Sequence, residues 1–176
     1  MNGQKRLRLE GGFLKIRPLL PKDAPLMLEW MHDDDVVHDL KADFASKTLG
    51  DCLGFIRAAQ DTSESLHLAI VDDSDEYMGT ASLKHMRDGA AEFGISMRKC
   101  AMGKGFSRFG MQEIIRVGFE EYGLDEVFWC VDPVNRRAVR FYDKNGYRRC
   151  AAPVSAQGYS DEEKERYLWY IVRKEG

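Results

Sequence analysis

With 176 residues, 44% of them hydrophobic and 31% charged, the chain has the composition of one globular domain with a sizeable core. A net charge of −3 excludes general affinity for nucleic acid or an anionic membrane, so neither is expected as a partner. No apolar run approaches the ~20 residues that span a bilayer, and the N-terminal stretch lacks the apolar centre of a signal peptide. Cys52, Cys100, Cys130 and Cys150 are too scattered for a zinc site or a disulfide framework, which fits a reducing, cytoplasmic setting and no metal.

Residues 1–11 are polar and basic, and Arg6-Leu7-Arg8-Leu9 alternates as an edge strand does. Phe13–Pro18 alternates and stops at proline, which predicts a first strand. Pro21-Lys22-Asp23-Ala24 opens a helix through Trp30, with Leu26, Met27 and Trp30 on one stripe. An acidic loop follows, and then a second amphipathic helix over 47–59 carrying Leu49, Leu53 and Ile56. Residues 65–71, 77–84 and 90–98 read as a strand meander turning at Asp72–Asp75 and at Asp88-Gly89.

A long helix is predicted over 105–122, closed by Tyr122-Gly123. Val127–Val131 is a continuous apolar run, as in a strand covered on both faces. Asn135 is placed to cap a short helix and Gly146 to end it. Strands over 147–150 and 167–172 enclose the polar stretch Ser155–Lys164, whose glycine and serine predict a mobile loop. With no repeat or linker, the reading is a single domain over residues 1–176, of α+β class with a mixed central sheet.

Two segments carry chemistry. Met102-Gly103-Lys104-Gly105-Phe106-Ser107 joins a strand to a helix start, leaving backbone N–H groups unpaired at the positive end of the helix dipole. That arrangement suits a pyrophosphate, and small residues let the phosphate approach the backbone. A strand-to-helix turn needs glycine in any case, so the segment by itself is compatible with a plain turn. In the second segment Asn135, Ala138 and Tyr142 share one helix face with their ends ~10 Å apart. Taken alone they also read as a capping asparagine and a half-buried tyrosine.

Together these segments resemble the GNAT superfamily of acetyl-CoA-dependent N-acetyltransferases. The resemblance runs from Ile16-Arg17-Pro18-Leu19 and Asp23, through Met102–Ser107, to Asn135, Tyr142 and Gly146-Tyr147. It is nearest to the branch holding ribosomal-protein, spermidine and amino-sugar acetyltransferases. It implies a mixed sheet of about seven strands, splayed between two central ones and flanked by four helices. The family's loop pattern, Gln/Arg-x-x-Gly-x-Gly/Ala, falls on Met102-x-x-Gly105-x-Ser107; Gly105 matches, and Met102 and Ser107 depart.

By this resemblance acetyl-CoA is the donor. The strand around Ile95 to Met97 pairs with its pantetheine arm, and the backbone of Gly103, Lys104, Gly105, Phe106 and Ser107 binds its pyrophosphate. Asn135 touches the arm, Arg140 or Lys144 reaches a phosphate, and Tyr142 protonates the departing thiolate. Glu92, at the start of the splayed strand, is a candidate base for the amine, or an ordinary residue on a solvated face. Cys130 as a nucleophile is disfavoured by its apolar strand. His32, His38, His67 and His85 show no metal-ligand spacing and read as surface or strand residues.

The acceptor region falls on the first helices, where Trp30, His32 and Asp33 are candidate contacts. There the run Asp33–Asp35 either attracts a cationic amine or caps the next helix. The expected reaction is direct acetyl transfer to a small primary amine such as a polyamine or amino sugar. A protein N-terminus and a non-catalytic acetyl-CoA-binding module are the alternatives. Homodimers are common in the superfamily, so self-association belongs to the expectation.

Overall fold

The computed structural model describes residues 7–9 and 12–176, with side chains from Phe13 onward. Of the Arg6–Leu9 alternation, Arg6 lies outside the described residues, and Leu7–Leu9 form strand β1. β1 pairs antiparallel with β2 (Gly12–Pro18). A 3₁₀ turn at Pro21–Asp23 leads into α1 (Ala24–Met31), followed by α2 (Asp34–Val37) and α3 (Leu49–Ala58). The meander is β3 (Leu66–Val71), β4 (Tyr77–Arg87) and β5 (Ala90–Met97). Then come α4 (Phe106–Glu121), β6 (Glu126–Val131), α5 (Arg136–Lys144), β7 (Arg148–Cys150), α6 (Asp161–Arg166) and β8 (Leu168–Arg173).

Among the described residues the strands join one eight-stranded sheet in the order β1-β2-β3-β4-β5-β6-β8-β7. Only β5 and β6 run parallel, so the sheet is mixed as expected, and the short β1 hairpin adds its edge strand. Because sheet side chains alternate, Leu66, Ile70, Leu83, Phe93, Val127 and Trp129 face α4 and its Phe109, Ile114 and Val117. Each such buried side chain contributes about 1.5–3 kcal/mol. Gly110 lets α4 lie close, since a Cβ there would clash with Ile70 Cδ1. The other face packs Ala69, Val71 and Tyr77 against Met27, Trp30 and Ile56 of α1 and α3.

Arg17 and Asp23 are both buried and joined by two bonds of 2.8 and 2.9 Å, fastening the entry of α1 to β2. Removing one partner of such a pair costs about 3–5 kcal/mol.

Two expectations are corrected. The acidic run is not a loop: Asp33 caps α2, its side chain accepting from Asp35 N–H at 3.0 Å. Ser155–Lys164 is not a free loop either, because it runs into α6. Ser160 and Glu163 close a capping box there, and Glu163 also pairs with Lys41. Each helix is too short for a 3.6-residue period to show in the sequence. Among the described residues no helix is long and apolar enough to cross a membrane.

Candidate active site at the splayed strands

β5 and β6 pair only through Ala90–Glu126, Ala91–Val127 and Glu92–Phe128. β5 continues to Met97 on β4, and β6 continues to Val131 on β8, so the sheet opens beyond Glu92. Backbone groups on that side of β5, from Phe93 to Met97, are left without a strand partner among the described residues. Ile95 is half-buried. Met97 is buried, its sulfur against Gly79, and lends the site only its backbone.

The chain leaves β5 through a 3₁₀ turn at Lys99–Ala101 and enters α4 at Gly105, whose φ of +86° is the left-handed conformation that glycine adopts without strain. Phe109 N–H bonds back to the Gly105 carbonyl at 3.1 Å, so the N–H groups of the turn before it lie at the open helix end. Gly103, Lys104 and Gly105 are exposed, and Phe106 and Ser107 half-buried. Met102 turns inward: it packs on the core, and its sulfur accepts from Arg137 Nη1 at 3.4 Å.

α5 follows β6, and its Tyr142 packs on Trp129 of β6. Asn135 is buried, and its Oδ1 caps the helix by accepting from Ala138 N–H at 3.1 Å. Tyr142 is buried among Trp129, Tyr147 and Tyr170, with ring centroids 5.1–6.3 Å away. Burial pushes its phenol well above the usual tyrosine range, and the neighbouring tyrosines add to the shift. Trp129 Nε1 is a buried donor with no partner among the described residues. Arg140 and Lys144 are exposed on the same helix.

The opposite face of the sheet holds a cavity of about 410 Å³. Its walls include Trp30, Phe44 and Phe55, and its floor is the outward face of β3, β4 and β5: His67, Ser82, Gly94 and Ser96. The cavity therefore reaches the part of β5 that has parted from β6. Trp30 was expected here, and its Nε1–H is taken by Tyr77 Oη at 3.1 Å, leaving an apolar ring. His32 and Asp33 are not among the lining residues. The ring Nε2 of His32 is bonded to the Lys47 carbonyl at 2.8 Å, while Asp33 is committed to its cap.

His67, read from the sequence as a surface or strand residue, lies in β3 on this floor. Its Nδ1 lies 2.7 Å from Ser82 Oγ, and its ring meets Phe55 edge-on at 4.8 Å. Burial, and then the charge of Lys84, push its pKa down. The alternation of Leu66, Leu68 and Ile70 was the available signal, since it places His67 on the other face.

Glu92 lies on a second cavity, of about 300 Å³, lined also by His85, Arg87, Glu126 and Phe128. Its Oε1 accepts from Tyr159 Oη at 2.6 Å and is 3.5 Å from Lys84 Nζ. Cys130 is half-buried, and burial raises its thiol pKa, which disfavours the reactive thiolate.

A family model for the acetyltransferase (GNAT) domain matches residues 14–148. No curated protein matches the sequence. The fold is similar to that of spermidine N-acetyltransferase from Vibrio cholerae, solved with CoA and spermine. Identity is 15% and the TM-score 0.74, over 91% of this chain and 95% of that one. It is also similar to Mycobacterium smegmatis RimJ in complex with CoA-disulfide, at 16% identity and TM-score 0.75, over 97% and 86% of the two chains. At these identities the likeness is one of fold.

Proposed function

The chain belongs to the GNAT family of N-acetyltransferases, and from that premise we propose that it transfers the acetyl group of acetyl-CoA directly to a small primary amine. The observation that carries this reading is the splay beyond Glu92 and Phe128, with an open helix end below it and a cavity beside it. Bound acetyl-CoA supplies an activated thioester. The unpartnered edge of β5 supports an arm laid along it like an added strand. The N–H groups of Gly103–Ser107 favour a pyrophosphate, with Lys104, Arg140 and Lys144 as exposed cations for its charge. Asn135 keeps its Nδ2 for the arm, because only Oδ1 is used in the cap. The unmet Trp129 donor beside Tyr142 supports a polar ligand atom reaching this depth.

Tyr142 is the proposed acid. Its raised pKa keeps the O–H intact at neutral pH, ready to donate to the sulfur as negative charge builds there. The size and walls of the cavity favour a compact acceptor with an apolar flank. Its one carboxylate, Asp51, already accepts from Thr48 N–H at 2.8 Å, and Lys47 and Lys84 share the lining. A long polycation finds little charge complementarity there. Four free cysteines fit a reducing cytoplasm.

The test is incubation with acetyl-CoA and a panel of polyamines, amino sugars, arylalkylamines and peptides, with product masses read directly. One acetylated amine is expected. Tyr142→Phe should lower turnover about 10²-fold or more with acetyl-CoA affinity retained; an unchanged rate removes Tyr142 from the mechanism.

A further inference from the structure

We propose that Ser82 and His67 take the proton from the acceptor amine, with Ser82 Oγ touching the amine above Gly94 and relaying its proton to His67. This rests on the transferase reading and assigns the base that the reading lacks. The argument begins with register. His67 pairs across β3 and β4 with Ser82, and Ser82 pairs across β4 and β5 with Gly94. The three residues form one row on the floor of the aromatic cavity. Ser82 is buried and bonded to His67 Nδ1 at 2.7 Å. Gly94 has no side chain, so the end of the row nearest the splay is open for an amine beside Ser82 Oγ. A Cβ there would sit 3.4 Å from Lys84 Cε, in space that an acceptor needs.

The environment suits a proton acceptor. Burial and Lys84 keep the His67 imidazole neutral at physiological pH, so Nδ1 is free to accept in the tautomer with hydrogen on Nε2. The charged and titratable groups around the cavity are Lys84 on β4, Asp51 and Cys52 on α3, and Lys47 before it. Lys84 also disfavours a cationic amine, which eases loss of the first proton. Glu92 is less apt, since its Oε1 already serves Tyr159 and Lys84 on the wall of the other cavity.

The step balances as follows. The acceptor enters as an ammonium ion; one N–H proton moves to Ser82 Oγ while the Ser82 O–H proton moves to His67 Nδ1. The free amine then forms its bond to the acetyl carbon as the carbon–sulfur bond breaks. The second N–H proton is accounted for by the thiol of CoA, which gains a proton through Tyr142. The imidazolium returns its proton to solvent.

The experiment uses 2-phenylethylamine, spermidine and glucosamine as acceptors with the wild-type chain and with His67→Gln, Ser82→Ala and Ser82→Thr. For the amine that is acetylated, His67→Gln and Ser82→Ala should lower kcat about 10²–10⁴-fold with the KM for acetyl-CoA unchanged. Ser82→Thr, which keeps the hydroxyl, should restore part of the rate. In the wild type, log kcat/KM should rise with pH through a limb below the ordinary histidine value of ~6.5. That limb should vanish in His67→Gln. Imidazole NMR at pH 7 should show His67 neutral with hydrogen on Nε2. Hydrogen on Nδ1, or unchanged rates in both variants, overturns the relay alone. Absence of product from all three amines and from the wider panel strikes the transferase reading itself.

Discussion

The two cavities on this side of the sheet use their polar groups differently. In the smaller one several of the groups satisfy one another: Arg87 donates to Gln157, Ser155 to Glu126 and Tyr159 to Glu92, each at 2.6 Å. A ligand entering there must displace bonds that it can at best replace. In the larger one Trp30, Phe44 and Phe55 form dry walls, and Ser82 and His67 bond mainly to one another, beside a strand that has lost its neighbour. On the reading proposed above, density of charged side chains is a poor guide to the reacting site. Unused hydrogen-bonding capacity beside an apolar wall is a better one.

The contrast can be broken by filling the open end of the row. Gly94→Val places a branched side chain where the amine is proposed to lie, and kcat/KM should fall about 10²-fold. Acetyl-CoA affinity, measured by calorimetry, should be retained. A smaller effect is expected on the other side. Glu92→Gln keeps an acceptor for Tyr159 and should change kcat by less than ~5-fold, far short of the 10²–10⁴ expected for loss of a base. A loss of that larger size in steady-state kinetics would move the amine to the charged cavity. The smallest effect belongs to Ser155→Ala, which removes one half-buried hydrogen bond. Urea denaturation should show about 1 kcal/mol of lost stability, with no change in rate.

Legibility in the sequence followed the range of the interactions. The long helix α4 and the strands of the meander were readable because their periods repeat over many residues. α2 and α6 were not, since a short helix is held by its caps and not by a stripe. The Met102–Ser107 turn was readable because its requirement, an open helix end entered through a left-handed glycine, is a property of adjacent residues. Asn135 and Tyr142 were readable from helical spacing, although the cap on Asn135 and the aromatic packing of Tyr142 were only alternatives there. Met102 was flagged by its place in the loop pattern, and its side chain turned inward to Arg137.

The His67–Ser82–Gly94 row could not be read in the same way. A bulge between Ile70 and Val71 shifts the β3–β4 register, so Val71 faces Tyr77 while Ile70 faces Gly79. Counting outward from the turn without that shift pairs His67 with Ala81, a core residue on the other face of the sheet. One displaced residue separates the His67–Ser82 hydrogen bond from a mismatch. The place where β5 leaves β6 is hidden for a related reason: β5 continues on β4 and β6 on β8, pairings that join strands distant in sequence. Short-range chemistry along this chain was enough to specify the glycine turn at the open end of α4, the helix face of Asn135 and Tyr142, and the mixed α+β class. The proposed base, the cavity proposed for the acceptor and the point of splay arise from strands distant in sequence, because cross-strand register is set by long-range packing and a single bulge can redirect it.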